Sequence, residues 1–179
     1  MDHIYDGSWN YEDLDSPVLM HELAQAYVDC AIELCRQMKS EKFACTFLRG
    51  QAVLYLAHHS TELFLKAAIW RKTGTLDTRE HQLAALRKTY AEVYPQQRYG
   101  IHTHFRRLDS TGEELNEIAP EQPIDQKLRY PVDKQKSPWW DNEIFDALAC
   151  LDQLSQFRQD MEQIGSMIYN SRNNCMELL

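Results

Sequence analysis

The polar residues best suited to chemistry lie in one segment, AHHSTELFLKAAIW, at residues 57–70. His58, Glu62 and Lys66 follow one another at intervals of four residues, so they share one face of a helix. His59 lies beside them, at the edge of an apolar stripe. An imidazole, a carboxylate and an ammonium together can line a ligand-binding groove between helices. The same spacing also suits an ordinary ion pair from Glu62 to Lys66 on a boundary face, so both interpretations stay open.

Metal binding and nucleophilic catalysis find less support in the sequence. His58 and Glu62 can supply two metal ligands, and His102 and His104 can add more, but the spacing fixes no complete ligand set. No nucleophile elbow surrounds a serine or cysteine, and neither GxxxxGK[ST] nor GxGxxG occurs. We therefore predict no metal site and no cofactor.

Charge and length bound the class of protein. The chain has 179 residues, with 27 acidic and 19 basic side chains and a net charge of −8. This balance argues against a broad phosphate-binding face, although a local cluster of cations stays compatible with RNA. The start of the chain is acidic and polar, and no apolar run reaches the length of a membrane span. We predict one cytoplasmic domain over residues 1–179, without a membrane segment.

The five cysteines are odd in number and form no CxxC pair. In a chain without an export signal, this pattern predicts reduced and buried thiols. The residues are Cys30, Cys35, Cys45, Cys150 and Cys175.

The elements that must position these side chains are predicted to be helices. Residues 18–94 contain no proline, and apolar residues recur there at steps of three and four. Four long helices are expected. The first is capped by Ser16, has Pro17 in its first turn and reaches Met38, and the second covers about 41–73 and ends at Gly74. The third follows a capping box of Asp77 and Glu80 and ends before Pro95, and the fourth runs from about Pro138 to Tyr169.

The predicted helices need a common core. The first is expected to bury Met20, Leu23, Tyr27, Cys30, Leu34 and Met38, and the second Ala52, Leu56, His59, Leu63, Ala67 and Trp70. Residues 96–138 hold four of the six prolines and are predicted to form an irregular insertion or loop region. The expected fold is therefore all-α, an antiparallel up-and-down bundle of four to five helices.

Several motifs, taken in order, resemble the HEPN domain family of small prokaryotic helical bundles. They are HHSTELFLKAAI on the second helix, His81-Gln82-Leu83-x-x-Leu86 at the start of the third, Leu128-Arg129-Tyr130-Pro131, and an acidic, alanine-containing last helix. Their order and approximate spacing agree over residues 20–165. The resemblance implies an antiparallel bundle that is often a homodimer. Family members include metal-independent RNases, nucleotide-binding proteins and companions of small nucleotidyltransferases, in toxin–antitoxin or antiviral systems.

The RNase members of that family share an Arg-x4-6-His dyad, in which the two side chains act on the scissile phosphate and on proton transfer. No histidine follows Arg129 in this chain, and the one matching spacing is Arg98 with His104 in the irregular region. We therefore expect a non-catalytic HEPN-like protein that binds RNA, a nucleotide or a partner protein. The alternatives are an endoribonuclease using Arg98 and His104, or a replacement base such as His58, and a structural dimeric adaptor.

The binding hypothesis predicts one groove for the ligand. Lys66 and Arg129 are expected to meet phosphate, because both are durable cations. The predicted lining residues are His58, His59, Glu62, Lys66, Arg129 and Tyr130.

Overall fold

A computed structural model describes residues 15–101 and 143–169, with the short stretches 108–109, 128–129 and 135–136. Its helices are α1 (Ser16–Lys39), α2 (Phe47–Thr73), α3 (Leu83–Val93) and α4 (Ala147–Tyr169), and a 3-10 turn covers Gln97–Tyr99. Two short strands, β1 (Leu108–Asp109) and β2 (Glu143–Ile144), pair antiparallel, with Leu108 opposite Ile144. The prediction of an all-α bundle is confirmed. Most of the predicted irregular region 96–138 lies outside the described residues.

Several helix ends differ from the predicted ones. Asp15, rather than Ser16, precedes the first helical residue, and no side chain caps that end. The second helix begins at Phe47, where the Thr46 hydroxyl accepts a hydrogen bond from the Arg49 N–H at 3.4 Å. Its predicted end is confirmed, because Gly74 adopts the left-handed conformation with φ of 74°.

The predicted capping box before α3 does not form at the helix end. Asp77 instead accepts from the Arg79 N–H at 2.9 Å, and Glu80 accepts from the Gln82 N–H at 2.7 Å. Both carboxylates therefore hold the turn that leads into α3, which begins at Leu83 with Gln82 before it. Short side-chain acceptors favour such local turns over helix capping when the chain bends again within a few residues.

The last helix is shorter than predicted, beginning at Ala147 rather than near Pro138. Asp146 explains the start, because its Oδ1 accepts hydrogen bonds from the N–H groups of Leu148 at 2.8 Å and Ala149 at 3.1 Å. Phe145, just before it, packs against Gly50 of α2, where an added Cβ would overlap the ring. Gly50 thus permits close contact between the starts of α2 and α4.

The central element of the bundle is α2, which packs against α1, α3 and α4. The apolar stripe predicted for this helix lies on its less buried side, because Ala67 is the one buried member of that stripe and Ala52 is exposed. Phe64 and Leu65 are fully buried, and so are the hydroxyl residues Ser60 and Thr61. Ser60 donates to the Ala24 carbonyl of α1 at 2.6 Å, and Thr61 donates to the Ala57 carbonyl at 2.9 Å. Internal hydrogen bonds thereby offset the cost of burying these hydroxyls.

The predicted stripe on α1 has the wrong phase. Leu23 is 47% exposed and Cys30 is also exposed, whereas Ala24, Val28 and Ala31 are fully buried. Small alanine side chains let α1 approach the backbone of α2 closely, which explains why the core seam follows them rather than the larger residues. The positions of the large apolar side chains therefore indicate the wrong face of α1 as its core face.

The cysteine prediction is half correct within the described residues. Cys35 and Cys150 are buried, as expected, but Cys30 and Cys45 are exposed, and all four are free thiols. Cys175 lies outside the described residues. No helix in the described part of the chain is long and apolar enough to cross a membrane.

A buried histidine, His21, lies where α1 meets α4. Its side chain packs against Phe64 and Tyr169, with ring centroids 5.7 and 4.9 Å away. The helix α4 comes so close that a Cβ on Gly165 would lie 2.5 Å from His21 Nε2. Burial, with the nearby positive charge of Arg158, lowers the pKa of His21 to about 4.

Acid should therefore destabilise the protein through His21. The unfolded chain takes up a proton near pH 6.5, whereas the folded histidine does so only near pH 4. This contribution to stability is complete above pH 6.5 and is lost as the pH falls toward 4. Between pH 7.5 and 5.0 we expect it to lower the free energy of unfolding by about 2 kcal/mol.

Urea unfolding at the two pH values tests this expectation. His21→Phe keeps an aromatic ring against Phe64 and removes the titrating group, so the variant should lose about that much of the pH dependence. An unchanged difference between the two pH values in the variant would contradict the role of His21.

Gly165→Ala should destabilise the fold, because the new methyl group forces His21 or α4 to move. Overpacking of this kind costs about 1–3 kcal/mol. Urea unfolding should show that loss, whereas the exposed neighbouring change Ser166→Ala should stay within about 0.5 kcal/mol. In a His21→Ala background the same glycine substitution should cost less, since the ring that it meets is gone. Equal costs in both backgrounds would contradict the contact.

Candidate functional site

The buried carboxylate of Glu62 is the centre of the candidate site. Its side chain is 5% exposed, and Lys66, one turn later on α2, is 7% exposed. The Lys66 ammonium donates to Glu62 Oε1 at 2.8 Å. The predicted ion pair is thus confirmed, but it is enclosed by the bundle rather than placed on a solvated face.

A second donor to the same oxygen comes from the segment before α3. His81 Nδ1 lies 2.8 Å from Glu62 Oε1, and the His81 side chain is 51% exposed. Because Glu62 accepts, Nδ1 is the nitrogen that carries the proton in this contact. The left-handed end of α2 at Gly74 and the turn held by Asp77 and Glu80 return the chain to Glu62 at this point.

Aromatic rings flank the carboxylate on the side of α1. The His59 ring meets Tyr27 edge-on at 4.8 Å between centroids and lies parallel to Tyr55 at 6.0 Å. His59 Nδ1 is 3.9 Å from Glu62 Oε2, which is beyond hydrogen-bond length. These rings give the site a partly apolar wall of the kind that a planar ligand can use.

Arg129 brings a further cation to this wall. It is exposed, and its guanidinium carbon lies 6.0 Å from the centre of the Tyr55 ring. Its positive charge also acts on His59, whose pKa it helps to lower. We call Glu62, Lys66, His81, His59 and Arg129, together with Tyr55, the Glu62 site.

The protonation states of the site follow from these contacts. Burial raises the pKa of Glu62, but the hydrogen bonds from Lys66 and His81 outweigh it and hold the pKa below its usual value. Burial lowers the pKa of His59, and the charges of Arg129 and Lys66 lower it further against the opposing effect of Glu62. At neutral pH the carboxylate is therefore ionised and His59 is neutral.

The two carboxylate oxygens of Glu62 have different surroundings. Oε1 accepts from both Lys66 and His81. Oε2 accepts no hydrogen bond from any described residue, and the ring nitrogen Nδ1 of neutral His59 is 3.9 Å away. A carboxylate with one saturated and one available oxygen has a definite orientation, because the two donors on Oε1 fix the plane of the group.

The structure brings some of the predicted site residues together and separates others. Glu62, Lys66, His59 and Arg129 come together, whereas His58 is buried on α2 one turn before Glu62. Tyr130 lies outside the described residues.

The predicted catalytic pair is only half described. Arg98 is exposed after α3, with its guanidinium 4.9 Å from the Tyr99 ring centre, and His104 lies outside the described residues. His81 precedes the other end of α3, whose 11 residues span about 16 Å. Arg98 and the Glu62 site therefore lie at opposite ends of that helix.

Sequence reasoning missed two contributors, His81 and Tyr55. His81 stood in a recognised motif, but its partner is 19 positions away, so no helical spacing links them. Tyr55 had a usable signal, because it lies four residues before His59 on α2. Among the described residues, no group of three or more potential ligands is arranged to hold a metal ion.

Comparisons of the chain with protein-family models, curated proteins and solved structures find no match. The HEPN resemblance accordingly depends on the sequence motifs. Three of the segments that carry it, around Glu62, His81 and Arg129, supply side chains to the Glu62 site.

Lys66→Met should destabilise the fold strongly, because it leaves the buried Glu62 carboxylate with half-exposed His81 as its remaining partner at hydrogen-bond distance among the described residues. Breaking a buried ion pair from one side costs about 3–5 kcal/mol, whereas replacing both partners costs far less. Urea unfolding should therefore show a smaller loss for the double change Glu62→Gln with Lys66→Met than for the lysine change alone.

The exposed pair of Arg36 and Glu33, 3.9 Å apart on α1, is the matched control. Arg36→Ala should change the free energy of unfolding by less than about 1 kcal/mol. A Lys66→Met effect as small as that would show that the carboxylate does not depend on its partner.

Proposed function

We propose that this chain is a HEPN-like, non-catalytic protein that binds a phosphate-bearing ligand, a nucleotide or an RNA strand, at the Glu62 site. The observation that carries the proposal is the excess of cationic side chains around one ionised carboxylate. Lys66 is within 2.8 Å of Glu62, while Arg129 is exposed beside Tyr55 and His81 is half exposed. A chain of net charge −8 thus has a local site that favours anions.

The donors of the site suit a phosphate group. The Lys66 ammonium donates one of its three N–H groups to Glu62, and the exposed Arg129 guanidinium is a planar, permanently charged donor. Ionised donors form short and strong hydrogen bonds to phosphate oxygens, and a guanidinium matches two of those oxygens at once. The half-exposed His81 ring adds a further N–H donor at the exposed side.

The aromatic wall suits the base of a nucleotide. Tyr55 is partly exposed, and unstacked bases bind on aromatic rings and guanidinium planes in single-stranded RNA recognition. A ligand with an anionic group and a planar ring would use both halves of the Glu62 site. The homodimer, the nucleotidyltransferase partner and the toxin–antitoxin or phage-defence setting follow from the resemblance and stay predictions.

Arg129→Ala should weaken ligand binding about tenfold or more. Loss of a hydrogen bond to a charged group costs about 1.5–3 kcal/mol, and 1.4 kcal/mol is a factor of ten in affinity. Isothermal titration with adenosine 3′-monophosphate and fluorescence anisotropy with a short labelled RNA at low salt distinguish the free nucleotide from the strand. Arg36→Ala, an exposed arginine at the far end of α1, should bind like the unchanged protein.

The outcomes separate binding from the other functions. Absence of binding for both ligands would overturn the proposal and leave a structural adaptor. Breakdown of the RNA during the experiment, abolished by Arg98→Ala and by His104→Ala, would instead establish the endoribonuclease alternative.

A further inference from the structure

The available oxygen of Glu62 limits what the ligand must contain. Oε2 belongs to a side chain that is 95% enclosed, yet it accepts no hydrogen bond from the described residues, while Oε1 accepts two. Oε2 is not fully buried, so a ligand can reach it, and a donor on the ligand would form a charge-assisted hydrogen bond with it. A phosphate cannot do this, because an ionised phosphate only accepts. A ligand that uses this oxygen therefore carries a hydrogen-bond donor in addition to its anion.

The position of this oxygen restricts the donor further. Lys66 Nζ and His81 Nδ1 are each 2.8 Å from the other oxygen of the same carboxylate, so the acceptor is an immediate neighbour of the Lys66 ammonium and of the His81 ring. The donor and the phosphate must then also be close together in the ligand. In a ribonucleotide, the 2′-hydroxyl and the 3′-phosphate stand on adjacent ribose carbons and meet this condition. The amino and imino groups of a base lie much farther from the phosphate of the same nucleotide.

We propose that Glu62 Oε2 accepts a hydrogen bond from the ribose 2′-hydroxyl next to the bound phosphate, so that the site selects ribonucleotides over deoxyribonucleotides. The inference depends on the proposed function and names the sugar that the same site reads. Lys66 and Arg129 only donate hydrogen bonds, so neither can replace Glu62 as the acceptor. The 2′-hydroxyl is also the group by which proteins generally distinguish RNA from DNA.

Three ligands test the inference on the full chain: adenosine 3′-monophosphate, its 2′-deoxy form and its 2′-O-methyl form. Titration calorimetry should show binding of the ribonucleotide about tenfold or more tighter than either analogue, since a hydrogen bond to a charged group contributes about 1.5–3 kcal/mol. The 2′-O-methyl form keeps the oxygen but has no proton to donate. It should therefore bind as weakly as the deoxy form.

Glu62→Gln supplies a second readout. Lys66 and His81 both donate to the position of Oε1, so the amide oxygen should take that position and the amide nitrogen should replace Oε2. The variant thereby presents an N–H donor where the unchanged protein has an acceptor. The oxygen of the 2′-O-methyl ligand can accept a hydrogen bond from this donor. The ratio of ribonucleotide to 2′-O-methyl affinity should fall toward one. Arg129→Ala should lower the affinity for all three ligands by a similar factor. The ratios between the three affinities should then equal those of the unchanged protein.

The results distinguish the two proposals. Equal affinity of the unchanged protein for the ribo and deoxy forms would overturn the role of Glu62 and leave phosphate binding intact. Binding of none of the three ligands would overturn the proposed function together with this inference. If circular dichroism shows that Glu62→Gln does not fold, the three affinities of the unchanged protein decide the question alone.

Discussion

The enclosed charge of Glu62 is the constraint on which the site depends. A carboxylate removed from water loses several kcal/mol of hydration, which only close and well-oriented partners offset. Lys66 supplies one partner from the same helix, and His81 supplies the other from the segment before α3. The ion pair therefore does more than stabilise α2 locally. Together, the two contacts tie the following segment to the middle of the bundle and leave the second carboxylate oxygen without a donor from the described residues.

The position of α2 explains why such a charge can be enclosed at all. This helix packs against three others, and several of its polar residues are hydrogen-bonded within the bundle, as for Ser60 on the Ala24 carbonyl. The chemistry of the chain is thus concentrated on its most enclosed element. Arg129 and the exposed part of His81 then connect that element to solvent, which places an exposed guanidinium and a half-exposed imidazole beside a buried carboxylate.

The sequence predicted the class of fold and the pairing of Glu62 with Lys66, because both depend on spacing along individual helices. Apolar periodicity indicates the helices, and an interval of four residues indicates the ion pair. The sequence failed where distant segments decide the outcome. Ala24 and Ala31 carry the seam of α1 because α2 approaches closely, which no apolar count reveals. The partnership of His81 with Glu62 depends on the turn after Gly74, and that turn uses the Asp77 carboxylate differently from the predicted capping box.

The packing of α3 among the described helices has a consequence for motion. Its main packing partner is α2, whereas α1, α2 and α4 also pack among themselves. Elements with few neighbours form the cooperative units that open first, on a free-energy scale below global unfolding. His81 would leave with such a unit while Lys66 stayed on Glu62. We therefore expect the contact of Lys66 with Glu62 to persist while the contact of His81 forms and breaks, and slower amide exchange on α2 than on α3 would report this difference.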